Sequence, residues 1–237
     1  MTANAAAQTS SAPLPPRYYE DWKQPFFDKA LDGLKPGAKV LDVGSGRMPS
    51  LKRQLRPDGC DYVGLDISEP ELKLAPEGSY DSYFVGDIAD RLPELAGQFD
   101  LVVTWQVLEH VKSLDDSLRN IRDYLKPGGR FVGQFSGTFS AFGLINQVVP
   151  SWVGPWAMKR LLGRAPDTVF PAYYHHCWHS KITAAMAGWA SVEITPRYRG
   201  AVYWRFFRPL QVAYLVYENW AVNHGNLATH YLIDARA

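Results

Sequence analysis

The chain has 237 residues, of which 46% are apolar and 21% charged, and its formal net charge is +1. This length is near the upper limit for one hydrophobic core, so we expect a single domain with appended elements. A near-neutral chain without a long Lys/Arg run is not expected to bind nucleic acid. Its two cysteines, Cys60 and Cys177, are too few for a disulfide framework and predict free thiols in a reducing cytoplasm.

Neither end of the chain predicts export or membrane insertion. Residues 1–16 lack the cationic start and apolar core of a secretory signal and are expected to form a disordered tail. Near the other end, the apolar stretch LQVAYLVYENWAV is interrupted by Glu218 and Asn219. It falls short of the roughly 20 residues that a spanning helix needs, so no transmembrane segment is expected.

Residues 17–237 are predicted to form one α/β domain. An amphipathic helix comes first, with apolar residues at helical spacing between Tyr19 and Leu34, and Lys35-Pro36-Gly37 ends it. Strand-like runs then alternate with helical or turn-rich segments, and a helix over 114–125 precedes a strand over 130–136. The first four runs are 39–44, 60–67, 83–88 and 99–105. This alternation predicts a doubly wound, mostly parallel sheet with helices on both faces.

The composition changes beyond residue 137, where six of the eight tryptophans and five of the six histidines lie. We expect a poorly regular cap insertion over 140–179 that carries specificity. A helix over 180–188, a strand over 190–200, a helix opened by Pro209 and a last strand over 228–236 are expected to follow.

The stretch VLDVGSGRMPS at 40–50 predicts a nucleotide-binding loop. A buried strand runs into Gly44-Ser45-Gly46, and the start of a helix is expected next, with free N–H groups for a ligand. Asp66 ends the next strand, at the distance along the chain from which a carboxylate can accept ribose hydroxyls. Asp87 ends the third strand. In open parallel sheets such strand ends converge on the ligand, although each acid alone could equally be a turn or capping residue.

The order of motifs resembles class I S-adenosylmethionine-dependent methyltransferases over roughly residues 36–136. The motifs are VLDVGSG, YVGLDIS, GDIADRLP, FDLVVTWQVLEHV and LRNIRDYLKPGGRFV. Pro49 replaces the third glycine of the dinucleotide fingerprint, which argues against a nicotinamide-dependent oxidoreductase. Met48 stands where the methyltransferase family usually has its third glycine.

The resemblance implies a seven-stranded Rossmann-like sheet and a set of residues around S-adenosylmethionine. Asp42 and the loop Gly44, Ser45 and Gly46 would face the methionine part, and Asp66 with Ile67 would take the ribose. The adenine would be framed by Asp87 and Ile88, and the fourth strand would contribute Trp105 and Gln106.

Histidines are the candidate general bases. A sulfonium methyl group is already activated, so the protein has to position a nucleophile and remove its proton when the acceptor is a hydroxyl. His110, in VLEHV, is the first candidate, followed by His176 and His175 in FPAYYHHCWHS. Zinc binding by the second run is the alternative, but the spacing completes no familiar pattern, so no metal is predicted.

The segment SWVGPWAMKRLLGR interleaves Trp152 and Trp156 with basic residues. It predicts a cap over an apolar acceptor, and contact with a membrane surface is the alternative. We therefore expect a methyltransferase for a small aromatic or lipid-like molecule, most simply at oxygen. The alternatives are methylation at nitrogen or carbon and a non-catalytic module that binds an adenosine ligand. The sequence does not determine the acceptor or the oligomeric state.

Overall fold

The computed structural model describes residues 14–140, 143 and 173–237. Most of the predicted tail and most of the predicted cap insertion, including Trp152 and Trp156, lie outside the described residues. The expectations for those segments therefore remain predictions.

Seven strands form one sheet in the order β3-β2-β1-β4-β5-β7-β6. β1 to β5 pair in parallel, and β7 runs antiparallel to both β5 and β6. The strands are β1 Lys39–Val43, β2 Asp61–Asp66, β3 Ser82–Val85, β4 Phe99–Trp105, β5 Leu125–Ser136, β6 Ser191–Arg197 and β7 His230–Arg236. The predicted mostly parallel, seven-stranded α/β sheet is confirmed.

Helices cover both faces of the sheet. Those in the described part of the chain are α1 Gln24–Leu31, α2 Glu69–Lys73, α3 Leu114–Tyr124, α4 His179–Ala185 and α5 Arg208–Ala221. Phe26 of α1 packs on one face with Val40 and Leu101, whereas Leu118 of α3 packs on the other face with Leu41. The two cores follow from the alternation of side chains along each strand.

Local sequence explains where α3 begins. The Ser113 hydroxyl accepts a hydrogen bond from the Asp116 amide, and Asp115 and Asp116 place negative charge in the first turn. Both features stabilise the amino-terminal end of a helix. Leu114, Leu118 and Ile121 then recur at helical spacing and are buried, which holds α3 on the sheet.

Two predicted helices differ from the structure, and proline accounts for both. The first helix covers only Gln24–Leu31, because Pro25 is tolerated only in a first turn and so sets the beginning of the helix. The helix expected after the glycine loop is absent from the described segment 44–60, which contains only a 3-10 turn at Arg53–Leu55. Pro49 and Pro57 flank this turn and disfavour helical backbone at the residues before them.

β5 begins at Leu125, earlier than the predicted residue 130. Leu125 pairs with Phe99 and Arg130 with Leu101, so residues 126–129 bulge out of the pairing. This bulge contains Pro127, which cannot donate to a strand ladder, and Gly128, whose φ of 75° is in the left-handed region.

None of the helices in the ranges 14–140 and 173–237 has the length and apolar character needed to cross a bilayer.

Candidate active site

A cleft of about 250 Å³ opens at the carboxyl ends of β1 to β4. It is lined by residues from separate segments of the chain, because parallel strands end at the same edge of the sheet. Seven residues predicted from the sequence line it: Gly44, Asp66, Ile67, Asp87, Ile88, Gln106 and His110.

The glycine loop after β1 leaves no room for a side chain at its first position. Gly44 has a φ of 71°, and a Cβ there would lie 2.5 Å from the Cγ atoms of Val107. Gly46 has a φ of 50°, and its Cβ would lie 3.5 Å from Oδ2 of Asp66. Glycine relieves both constraints and lets a ligand approach the main chain. The Ser45 hydroxyl bonds to the Tyr80 hydroxyl, which also donates to the Gly46 carbonyl at 2.8 Å.

Asp66 ends β2 and faces the cleft. Its Oδ1 accepts a hydrogen bond of 2.8 Å from the Ser68 amide, and its side chain is mostly buried. Burial raises the pKa of the Asp66 carboxyl, and hydrogen bonds from the Ser68 and Gly46 amides oppose this shift. A carboxylate held in this way can accept hydroxyl donors from a ribose.

Asp42 lies beneath the loop and does not line the cleft. Its carboxylate accepts hydrogen bonds from the Ser50 amide and hydroxyl, both at 2.6 Å, and from the Tyr62 hydroxyl at 2.7 Å. Burial raises the pKa of Asp42 to about 6. The residue therefore ties the chain after the glycine loop back to β1, and any effect on a ligand passes through the loop.

Asp87 and Ile88 follow β3 and close the cleft on the side away from β4. Oδ1 of Asp87 accepts a hydrogen bond of 2.9 Å from the Ala89 amide, which forms a tight turn. The Ile88 carbonyl accepts from the Asn120 side chain at 2.8 Å, and the Ile88 side chain is buried. Asp87 therefore provides a hydrogen-bond acceptor at this side of the cleft, and Ile88 provides an apolar wall.

Trp105 and Gln106 are neighbours in sequence but point to different places. Trp105 packs against Phe26, with ring centroids 4.9 Å apart, on the sheet face covered by α1, and it does not line the cleft. Gln106 lines the cleft with a left-handed φ of 57°. Its Oε1 accepts from the Ser136 hydroxyl at 2.9 Å, and its buried Nε2 has no hydrogen-bond partner within the described residues.

His110 lines the cleft from a 3-10 turn at Leu108–His110. The preceding Glu109 is 3% exposed, and its Oε1 accepts a hydrogen bond of 3.1 Å from the Ser136 amide. Its Oε2 has no partner in the part of the chain that the structure describes. Burial raises the pKa of the Glu109 carboxyl, and the charge of His110 opposes that shift. Glu109 was not among the site residues predicted from the sequence, because only its burial distinguishes it from a surface acid.

His175 and His176 do not line the cleft. His176 has a left-handed φ of 61°, and its Nδ1 lies 3.7 Å from Oδ2 of Asp115. From the same run, Tyr173 does line the cleft, and its amide donates to the Glu109 carbonyl at 3.0 Å. No group of three or more His, Cys, Asp or Glu residues in ranges 14–140 and 173–237 is arranged to hold a metal ion.

Comparison with known proteins places this geometry in a family. The profile of a methyltransferase domain matches residues 15–181. The ubiquinone biosynthesis O-methyltransferase of Bordetella avium is 29% identical over 203 residues, which cover 82% of this chain and 76% of that protein. The ubiquinone/menaquinone biosynthesis C-methyltransferase of Cupriavidus necator is 31% identical over 154 residues, which cover 62% of each protein. The chain thus spans less than two thirds of the length of some of these relatives.

Solved structures share the fold. A phosphoethanolamine N-methyltransferase of Haemonchus contortus in complex with S-adenosyl-L-methionine has a TM-score of 0.56 and 16% identity, covering 91% of this chain and 52% of that one. An S-adenosylmethionine-dependent methyltransferase of Mesorhizobium loti has a TM-score of 0.54 and 17% identity, covering 91% and 97%.

The sheet order, the glycine loop after β1 and the acid at the end of β2 define a Rossmann-like protein of the class I methyltransferase type. The chain belongs to the methyltransferase domain family and is an S-adenosylmethionine-dependent methyltransferase. The predicted family and the predicted cofactor are both confirmed.

Proposed function

We propose that this methyltransferase transfers a methyl group to a hydroxyl oxygen of a small aromatic, quinone-like molecule. One observation carries the proposal: His110 opens into the same cleft as Gly44 and Asp66, so a base and the cofactor residues share one space. The choice of a quinone-like acceptor is supported by the relatives, which are named as ubiquinone biosynthesis methyltransferases.

The cleft residues fit S-adenosylmethionine, and we assign them as follows. The main chain of Gly44, Ser45 and Gly46 approaches the methionine part, since both glycines have a left-handed φ and Gly44 leaves no room for a Cβ. Asp66 accepts the ribose hydroxyls, with Ile67 beside it. Asp87 and Ile88 frame the adenine, and Gln106 offers its Nε2, which has no partner among the residues that the structure describes. In this assignment Asp42 supports the loop from below, and Trp105 supports β4 from the α1 side.

The bound sulfonium supplies an activated methyl group, which leaves positioning and proton removal to the protein. In this proposal His110 accepts the proton of the acceptor hydroxyl as the oxygen attacks. Glu109 is buried next to His110, and attraction between its carboxylate and the imidazolium opposes the burial that raises the Glu109 pKa. His176 and His175 rank behind His110 because neither lines the cleft.

Methylation at carbon is the second candidate, because relatives named as C-methyltransferases are as similar to this chain as the O-methyltransferases. An electron-rich ring carbon attacks without a base removing a hydroxyl proton in the same step. O-methylation therefore requires His110 as a base, whereas C-methylation does not require a base in that step.

The experiment incubates the protein with ¹³C-methyl S-adenosylmethionine and two electron-rich phenols, catechol and a hydroxyquinol, and identifies the product by NMR. O-methyl and C-methyl carbons have well separated chemical shifts, so the reacting atom is read directly. We expect O-methyl product from the wild type and less of it from Asp66→Ala when S-adenosylmethionine is below saturation. A C-methyl product would replace the proposal with the second candidate. Binding of S-adenosylhomocysteine without methylation of either phenol would contradict the proposed acceptor.

A further inference from the structure

Two arginines, Arg197 and Arg199, lie at the same edge of the sheet as the cofactor cleft. β6 ends at Arg197, which pairs with His230 of β7, and His230 pairs with Ser136 at the end of β5. Because β5 runs parallel to β4, Ser136 lies at the carboxyl edge where the cleft opens. The fold therefore carries two basic residues from the far end of the chain to the site.

The positive charges of these arginines have no acidic partner within ion-pair distance in the described ranges. Nη1 of Arg197 donates to the Trp22 carbonyl at 2.8 Å and to Oε1 of Gln134 at 2.6 Å. Arg199 donates to the Glu20 and Tyr18 carbonyls at 2.9 and 2.7 Å. All of these acceptors are neutral, and Nε and Nη2 of Arg197 make no hydrogen bond within the described residues.

The two guanidinium groups both lie over the ring of Trp22, and both arginines are partly buried. Cζ of Arg197 lies 4.1 Å and Cζ of Arg199 lies 5.2 Å from the centre of the Trp22 ring. Burial and the neighbouring Arg199 lower the pKa of Arg197 to about 10, against a smaller opposite effect of Glu20 and Asp21. Placing two like charges together out of water is unfavourable unless an anion compensates them.

Arg130 provides the internal comparison at the opposite edge of the sheet. Its Nε and Nη2 donate to the two carboxylate oxygens of Asp234, each at 2.7 Å. This partly buried arginine is thus neutralised by a bidentate carboxylate within the chain. Arg197 has an equally suitable fork of donors, and no carboxylate from residues 14–140 or 173–237 binds to it.

Two unpaired polar atoms lie next to the arginine pair. Gln134 is fully buried and its Oε1 is taken by Arg197, while its Nε2 has no partner in the described part of the chain. His230 is 4% exposed, and its Nδ1 is likewise unpaired there. Buried polar atoms without partners are uncommon and often mark a place for a ligand or water.

The arginine pair is one hydrogen-bonded step from the cleft. Gln106 lines the cleft, and its amide donates to the Gln134 carbonyl at 2.7 Å. Its side chain accepts from Ser136, the strand partner of His230. Hydrogen bonds between adjacent strands therefore connect the arginine pair to a residue that lines the cleft.

We propose that Arg197 and Arg199, with Gln134 and His230, bind an anionic group of the methyl acceptor, a carboxylate or a phosphoryl group. The inference rests on the proposed function, since it adds the charge of the acceptor to the nature of the reaction. The arginines also hold residues 18–22 through main-chain carbonyls, so this segment forms the outer wall of the anion subsite.

The test titrates three probes into the protein saturated with S-adenosylhomocysteine, with binding followed by ligand-detected NMR. The probes are benzoate, phenyl phosphate and benzamide, the last of which has the shape of benzoate without its charge. We expect the wild type to bind one of the anions at least about tenfold more tightly than benzamide, and the preferred anion identifies the group. Arg197→Gln should lose this preference, whereas Arg236→Gln, an exposed arginine at the opposite edge, should keep it.

Equal affinity for all three probes in the wild type overturns the proposal without any variant. Retention of the preference in both Arg197→Gln and Arg199→Gln also overturns it. If Arg197→Gln does not fold, as judged by loss of S-adenosylhomocysteine binding, Arg199→Gln and Arg197→Lys decide the outcome. A protein that binds S-adenosylhomocysteine and methylates a neutral phenol, but shows no preference for anions, retains the proposed function and refutes only the anion subsite.

Discussion

Single side chains decide the predicted affinity for the cofactor. Asp66→Ala should weaken S-adenosylhomocysteine binding by about tenfold or more, because hydrogen bonds to a charged group contribute about 1.5–3 kcal/mol each. Titration calorimetry measures the change. Asp61→Ala is the matched control, since Asp61 lies at the other end of β2 and pairs with Lys39 on the surface. Unchanged affinity in a folded Asp66→Ala protein would contradict the assignment.

His110 carries the predicted proton transfer. His110→Ala should lower the turnover rate by at least about a hundredfold, because a placed general base contributes about 10²–10⁴-fold. Affinity for S-adenosylhomocysteine should stay within a few-fold, the pattern of an interaction made in the transition state. His110→Gln should be nearly as slow, since it hydrogen-bonds but does not accept the proton. Near-normal turnover in His110→Ala together with loss in His176→Ala would move the base to the second histidine run.

The raised pKa of Asp42 predicts that the stability of the fold depends on pH. Its pKa is raised to about 6, so the folded state binds a proton that the unfolded state releases near its ordinary value of 3.8. The contribution of Asp42 to stability is therefore greatest at acid pH and declines as the pH rises through about 6, by roughly 3 kcal/mol in all. Urea unfolding between pH 4 and 8 should show a flatter profile for Asp42→Asn than for the wild type. Parallel profiles would show that Asp42 titrates normally.

At the level of elements, the glycine loop between β1 and the turn at 53–55 sets the shape of the cleft. The sequence predicted the path of this loop as far as the glycines. It did not predict the segment that follows, where a 3-10 turn flanked by two prolines stands in place of the expected helix. The loop is held from below by Asp42 and from the side by Tyr80. These supports come from β1 and from the segment before β3, so no local pattern could reveal them.

Gly44→Ala tests this element. A left-handed φ costs a non-glycine residue roughly 1–2 kcal/mol, and the added Cβ would also collide with Val107. Gly97→Ala is the control, because Gly97 has a φ of 66° and open space around its Cα. Both variants should unfold at a lower urea concentration, but only Gly44→Ala should lose S-adenosylhomocysteine binding. Equal binding by the two variants would mean that the loop tolerates a side chain.

At the scale of the whole molecule, the sheet order places the cleft and the proposed anion subsite along one edge. β1 to β4 surround the cofactor cleft, whereas β5, β7 and β6 bring Ser136, His230 and Arg197 together. The antiparallel β7 makes this possible, because its first residue meets the last residues of both neighbours. In the proposed assignment, the cofactor region and the anion subsite therefore adjoin along this edge.

The response of the whole fold to ligands gives the last prediction. S-adenosylhomocysteine at a hundred times its Kd should add about 2.7 kcal/mol of stability and raise the Tm by roughly 5–10 °C for a chain of this size. NAD should leave the Tm unchanged at the same concentration. Differential scanning fluorimetry measures both, with Asp66→Ala as the variant that should lose the shift. Stabilisation by NAD alone would indicate that the glycine loop binds a dinucleotide.

Local sequence determined the strand runs, the glycine turn and the acids at the ends of β2 and β3, because each depends on neighbours within a few residues. Tertiary structure alone decided that Trp105 faces α1 while Gln106 faces the cleft, that one oxygen of the buried Glu109 has no partner among the described residues, and that Arg197 bonds to Gln134. These features depend on pairings across the sheet, such as Ser136 with His230 and His230 with Arg197. Pairing between residues this far apart in the sequence is determined by the packing of whole elements, and a local sequence pattern does not predict it.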